Sequence, residues 1–567
     1  MSTDAVVLER HTGSDDGPDS TGRVAATAVG TTRRLLERWA PPALAAAALL
    51  AVSLPFVNRR PVWLDEAYTI GATRDLMATW RGSGGTQALY YLLMWPVTRV
   101  SIDQAWVRLP SAVCAAATVV VVHELGRRLG GRWAGATAAG LLASTWGLAR
   151  YAIEARSYAL TILLVSVSWL GLVASLQADP GSPQQHRWRR VWVAAALLMP
   201  LAHGLAALQF AGQLLAVLVA PDRRRWLRTC GAIALGLAAE AVLLFTLGAG
   251  EVAEWVQPLS WGQVRGMGHL LFGYGLAGWI VGAAALAAAV AVLVPLVRGR
   301  GTTAGPTADA VPAAGDATAV RAHAVLTAGA AGLDADAHLA TSEAAGRLEP
   351  GAAAGRSDRL MAVPLLWLAV MPVCVLLLSL LRPYGEPRYL LSSLPAVALL
   401  IGLGSARIRP RGLALAATVV VAALLMGDHT HVTAGGAENW PGVVDHVAAR
   451  AGDGDRLLTP TKYRPPVDYW WGESDARPRL VPLSPVDRLG EVRRFYDVAE
   501  PRTMAERMLE GHRTDPGATV WYVDRSDGGL ERIEVLTGDP EILERYSPSA
   551  PVPFKGDLYV VRFTART

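Results

Sequence analysis

The chain has 567 residues, 52% of them hydrophobic and 18% charged. So large an apolar share excludes an ordinary soluble globular domain and points to a membrane protein. The net charge of +5 rests on Arg, since Lys stands only at Lys462 and Lys555, and no basic block offers a surface for nucleic acid.

Residues 1–40 are polar and small, too acidic for a cleaved signal peptide, and read as a disordered cytoplasmic tail. A spanning helix needs roughly 20 mostly apolar residues. Eleven runs come close: 41–57, 106–124, 133–149, 158–176, 191–203, 205–220, 229–248, 277–297, 361–381, 390–405 and 412–427. The fifth and sixth are short, with only His203-Gly204 between them. When spans alternate, "GRRLGGR" (126–132), "HRWRR" (186–190), "DRRRWLR" (222–228), "RGR" (298–300) and "RIRPR" (407–411) fall on one side, and an Arg excess in short loops marks the cytoplasm. The loop 58–105 and the C-terminal region 428–567 then lie outside. Residues 299–359 are Ala-, Gly- and Thr-rich without a period and read as a disordered cytoplasmic loop, which divides the membrane core into 41–298 and 360–427.

Within 428–567, helix-like "WPGVVDHVAARAG" (440–452) is followed by strand-like "DRLLTP" (455–460), "ATVWYV" (518–523) and "DLYVVRF" (557–563). The expected fold is a polytopic α-helical membrane protein of about eleven transmembrane helices, carrying a small C-terminal external α/β domain. Cys114, Cys230 and Cys374 fall inside apolar runs and read as small buried hydrophobes, not as metal ligands or disulfide partners.

Three charged stretches stand at helix ends on the expected outer side: "WLDEAYTIG" (63–71), "RYAIEARSYAL" (150–160) and "RPYGEPRYLL" (382–391). Ionisable groups at membrane depth are costly and are usually justified by a polar cavity or substrate path. Each stretch also has a plain structural explanation. Asp65 and Glu66 could charge the start of an interfacial helix, Glu154 and Arg156 could form a surface ion pair, and Arg388 could snorkel to headgroups. Taken together, two adjacent acids with Arg150, Arg156, Arg388, Tyr158 and Tyr389 suit an anionic substrate and a proton acceptor.

The order of "RPVWLDEAYTIG" (60–71), "LYYLL" (89–93), "VRLPSAV" (107–113), "ELGRRLGGRWAG" (124–135), "RYAIEARSYAL" and "EPRYLLSSLPA" (386–396) resembles the polyprenyl-phosphate-dependent glycosyltransferases of the GT-C superfamily. Within that superfamily the likeness is to the branch of protein O-mannosyltransferases, the aminoarabinose transferase of lipid A and bacterial mannosyltransferase-like proteins. It covers about 41–430. The resemblance implies a catalytic acid in the first external loop, matching Asp65 with Glu66 beside it. It also implies a lipid-donor pocket lined by the regions holding Glu154, Arg156, Tyr158, Arg388, Tyr389, Tyr90 and Tyr91. One departure is plain: where many members have His-Pro-Pro-Leu-Tyr-Tyr, this chain has "TQALYY" (86–91), so any role for that His is lost.

The implied activity is that of an inverting glycosyltransferase, moving mannose or a similar hexose from a polyprenyl phosphate to an acceptor hydroxyl on a protein, lipid or glycan at the outer face of the plasma membrane. A carboxylate would take the hydroxyl proton, and arginines would meet the leaving phosphate. No cofactor beyond the lipid-linked donor is expected and no Cys/His metal spacing stands out, while a divalent metal stays open as an alternative. His203 and His269 are candidate acceptor ligands or structural histidines, and the aromatics of "KYRPPVDYWWG" (462–472) suit sugar stacking or a domain core equally. The competing function is a transporter or flippase of a lipid-linked glycan. That reading calls for polar groups near the bilayer midplane, where the sequence offers chiefly Glu240.

Overall fold

The structure, a computed structural model, describes residues 37–74, 76–82, 85–218, 223–247, 256, 258–298, 360–429, 438–472, 477–483, 501–525 and 529–566. The expected disordered segments, 299–359 and the tail through residue 36, lie outside the described residues.

Among the described residues, six helices are long and apolar enough to cross a membrane. They are α1 (Glu37–Phe56), α5 (Gln104–Ala143), α7 (Tyr158–Gln177), α10 (Arg223–Thr246), α12 (Gly275–Arg298, apolar through Val294) and the stretch Pro387–Ser405. Shorter apolar helices run over Gly204–Leu218, Val363–Ser379 and Arg411–Gly427. The expected fifth span falls in α8 (Pro183–Ala202), whose first half carries Arg187, Arg189 and Arg190. Between these lie α2 (Leu64–Ala72), α3 (Leu76–Gly82), α4 (Ala88–Val100), α6 (Trp146–Ala152), α9 (Gln209–Leu218) and α11 (Trp261–Phe272).

Helix α5 covers the second expected span and most of the third. It is broken at Gly131, whose φ of 83° is open to glycine and costly for other residues. The third span ends early, at Ala143, and α6 follows as a separate short helix. Just before the break, Glu124 takes Arg127 at 2.7 Å and Arg128 at 2.8 Å, gathering charge at the end of the bundle expected to be cytoplasmic.

Close packing sorts the apolar residues into buried and lipid-facing sets. Trp169 and Trp367 stack at 5.7 Å between ring centroids in the core. Gly171 lets α7 and α8 touch, because a Cβ there would lie 2.7 Å from the Trp192 backbone nitrogen. Leu235, Val242, Phe245, Leu286, Leu413 and Val419 are exposed instead. That is the arrangement for helices solvated by lipid, where an outward Leu costs nothing.

The C-terminal region forms a six-stranded mixed sheet in the order β2-β1-β3-β6-β4, with β5 also on β6. Its strands are β1 (Arg456–Leu458), β2 (Val481–Pro482), β3 (Val520–Arg525), β4 (Tyr546–Pro548), β5 (Val552–Phe554) and β6 (Leu558–Ala565). β1 runs parallel to β2 and β3, whereas β6 is antiparallel to β3, β4 and β5. Alternation along β3 sends Trp521 and Val523 to one face and Val520 and Tyr522 to the other. Helices Pro501–Thr514, Gly529–Gly538 and Pro540–Arg545 cover the second face. The first face is covered by α13 (Trp440–Ala448) and α14 (Arg464–Trp471), together with Leu64 and Tyr68 from α2.

Candidate active site

The three charged stretches meet in space. Asp65 and Glu66 stand in the first turn of α2, and consecutive residues on a helix point about 100° apart. They therefore enter different surroundings. Glu66 is fully buried, and Arg108 holds it with two hydrogen bonds, Nε donating to Oε1 at 2.7 Å and Nη2 to Oε2. The Ala155 N–H donates to the same Oε1 at 2.8 Å. Arg108 also donates to the Arg60 and Val57 carbonyls, so the pair ties α2, α5, the end of α1 and the loop after α6 into one unit.

Asp65 is held differently. Its Oδ2 lies 3.7 Å from Arg156 Nη2 and 3.6 Å from Arg388 Nη1, ion-pair distances longer than hydrogen bonds. Its side chain is 14% exposed, against 0% for Glu66 and 2% for Glu154. Among these three acids it is the one solvent reaches.

Glu154 forms an ion pair with the Arg150 guanidinium at 2.7 Å, with Arg60 at 3.8 Å. Burial pushes its carboxyl above the usual range while the Arg150 charge works against that shift. Arg156 reaches the Asp65 carbonyl at 3.3 Å and Thr69 Oγ1 at 3.4 Å, and the buried Tyr91 lies beside it. Tyr90 is buried and bonds Ser111 Oγ at 2.8 Å, supporting the wall behind Tyr91. Arg388 lies over the Tyr158 ring at 5.9 Å, and its Nε is 3.3 Å from Glu386. His203 stands between Tyr158 and Tyr389, at 5.8 and 5.7 Å between centroids. His269 pairs with Tyr274 at 4.5 Å, apart from this cluster.

Five guanidiniums, of Arg60, Arg108, Arg150, Arg156 and Arg388, thus face the four carboxylates of Asp65, Glu66, Glu154 and Glu386. Arg156 and Arg388 converge on Asp65, Arg388 being shared with Glu386, while Arg60 and Arg150 both approach Glu154, so the cluster as a whole has more guanidiniums than carboxylates and suits an anion. Among the described residues no group of His, Cys, Asp and Glu has the arrangement of a metal site.

Of the residues expected from the sequence, Asp65, Glu66, Tyr90, Tyr91, Glu154, Arg156, Tyr158, His203, Arg388 and Tyr389 gather here and His269 does not, while Arg108, Arg60 and Glu438 have no role in the sequence reading. Arg108 carried a usable signal, because an Arg inside an apolar span demands a partner. Glu438 carried none. It accepts the Leu64 N–H across a separation of 374 residues, a contact only folding creates.

With this geometry in place, comparison with solved structures is direct. ArnT from Cupriavidus metallidurans in the apo state is similar over 92% of this chain and 97% of its own, at a TM-score of 0.52 and 14% identity. The chain shares the fold of this ArnT. ArnT from the same organism bound to undecaprenyl phosphate is similar over the same shares of the two chains, at a TM-score of 0.49 and 14% identity. The archaeal oligosaccharyltransferase AglB from Archaeoglobus fulgidus, in complex with an inhibitory peptide and a dolichol-phosphate, is similar over 92% of this chain and 74% of its own, at 0.47 and 12%. No protein-family model matches the sequence, and no curated protein matches it.

Proposed function

We propose that the chain is an inverting glycosyltransferase that moves a hexose such as mannose from a polyprenyl phosphate to an acceptor hydroxyl at the outer face of the plasma membrane. The observation that carries this reading is the pairing of one partly exposed carboxylate, Asp65, with two arginines at 3.6–3.7 Å, beside a second carboxylate that is locked away. The acceptor oxygen attacks the anomeric carbon while its proton passes to Asp65. The bond from that carbon to the phosphate oxygen breaks, and its electron pair leaves with the polyprenyl phosphate. Arg156 and Arg388 face the charge that develops there, and a guanidinium presents two parallel donors to phosphate oxygens. Attack opposite the leaving group inverts the anomeric centre.

Glu66 has no part in proton transfer on this reading. Its two oxygens are occupied by Arg108 and the Ala155 N–H, so its work is to fix α2. The GT-C fold supports the assignment, as does the crowding of the charged groups at helix ends instead of mid-bilayer, where a transport path would need them. The test is Asp65→Asn. Transfer of sugar from radiolabelled undecaprenyl-phosphate mannose to membrane acceptors should fall on the order of a hundred- to ten-thousand-fold. Donor binding should be kept or strengthened, because a negative charge beside the phosphate is gone. Near-normal turnover in that variant would remove Asp65 from the chemistry.

A further inference from the structure

Helix α2 carries the proposed base, yet its own N-terminus is not self-capped: Trp63 occupies the cap position and makes no side-chain hydrogen bond there. The first N–H groups of a helix need an acceptor. For Leu64 that acceptor is Glu438 Oε2 at 3.0 Å, supplied by the C-terminal region. The same oxygen takes the Trp440 Nε1–H at 2.6 Å, and Arg525 at the end of β3 holds Oε1 at 2.8 Å. Glu438 is buried. Its position is set in turn by the β5–β6 hairpin: the Asn439 N–H donates to the Lys555 carbonyl, and Gly556 packs so closely that a Cβ would lie 2.6 Å from Glu438 Cα.

We infer that Glu438 is a positioning residue for transfer, through which the C-terminal domain caps α2 and fixes where Asp65 stands. The two faces of the helix belong to different bodies. Leu64 and Tyr68 are part of the C-terminal domain's core, and the Tyr68 hydroxyl donates to the Lys462 carbonyl at 2.8 Å. Ala67 and Ile70 belong to the membrane core, where Glu66 meets Arg108. Asp65 lies between them, so releasing the C-terminal face leaves the helix held on one side. Tyr469 and Trp470 of α14 reinforce the seam, donating to the Ile102 carbonyl at 3.1 Å and the Val62 carbonyl at 3.0 Å. These aromatics, equally suited by sequence to sugar stacking or to a core, are spent on joining the domain to the loop that carries the base.

This inference rests on the assignment of Asp65 as the base, and its test has two arms that fail separately. The full-length protein in nanodiscs is compared as wild type, Glu438→Ala and Glu438→Gln, with Gly556→Ala as a second way to move the same carboxylate. The first arm is hydrogen exchange. Amides 64–72 should exchange at least about tenfold faster in Glu438→Ala, as expected when a bond to a charged acceptor at a helix start is lost, while the α7 amides stay protected. The second arm is transfer from radiolabelled undecaprenyl-phosphate mannose. The turnover number should drop at least about tenfold with the donor KM changed less than about twofold, the mark of lost alignment rather than lost binding. Glu438→Gln keeps an acceptor oxygen and should recover most of both. Unchanged exchange over 64–72 overturns the cap, and faster exchange with unchanged turnover overturns the positioning role. A wild-type protein inert toward every lipid-phosphate sugar tried, together with faster exchange in the variant, overturns the transferase reading and the positioning role that rests on it, while the cap stands.

Discussion

Two carboxylates adjacent in sequence should respond oppositely to the same loss of charge. Glu66→Gln removes the anion from a site with no solvent, leaving the Arg108 guanidinium buried and without its countercharge. It also weakens the hydrogen bonds of Oε1 to Arg108 Nε and to the Ala155 N–H. Breaking a buried ion pair from one side typically costs about 3–5 kcal/mol, which multiplies the unfolded fraction by roughly 10² to 10⁴. Asp65→Asn gives up only contacts of 3.6 and 3.7 Å at a position solvent reaches, so its stability cost is smaller. Heat or denaturant unfolding in detergent, followed by the fluorescence of the chain's Trp residues, separates the two. Glu66→Gln should unfold much earlier than wild type, and Asp65→Asn should stay close to it. A double change, Glu66→Leu with Arg108→Leu, should recover much of the loss, because no charge is then stranded. If Glu66→Gln matches wild type in stability, or Asp65→Asn is the less stable of the two, the division into clamp and base is wrong.

Arg388→Lys should raise the donor KM by about tenfold or more, since an ammonium cannot hold two phosphate oxygens as a planar fork does; unchanged donor kinetics would reduce Arg388 to a partner of Glu386 and Tyr158. Gly171→Ala should cost about 1–3 kcal/mol by forcing α7 from the Trp192 backbone, a typical penalty of overpacking, read as an earlier unfolding midpoint. For topology, a cysteine placed at residue 320 should resist an impermeant thiol reagent in intact cells while one placed in 549–551 reacts; the reverse pattern would invert the orientation. Replacing 299–359 with a short Gly/Ser linker should leave transfer intact, because loop closure depends only weakly on length.

The membrane class, the long apolar helices and the principal strands followed from local pattern alone, whereas six helices among the described residues meet the length and hydropathy of a span against the eleven expected. A run of apolar residues must leave water whatever surrounds it, and "ATVWYV" and "DLYVVRF" are short runs so rich in Val and aromatic residues that β3 and β6 appear within two residues of their expected places. Where the local signal was mixed, tertiary context prevailed. The helix over the third expected span stops at Ala143, where the separate α6 follows and carries Arg150 to Glu154, and the fifth expected span lies inside the longer α8, whose first half is charged. The residue types of the site were legible too, as acids and arginines at helix ends that a bilayer does not tolerate without purpose. How differently the two acids are held was not legible. Asp65 and Glu66 are alike in charge and adjacent in the chain, and only the rotation of about 100° between helix neighbours, with Arg108 arriving 42 residues later and Glu438 more than 370 later, buries one and leaves the other open. Partners so distant leave no periodicity or spacing in a sequence, since their meeting depends on how the membrane helices and the C-terminal sheet pack on α2.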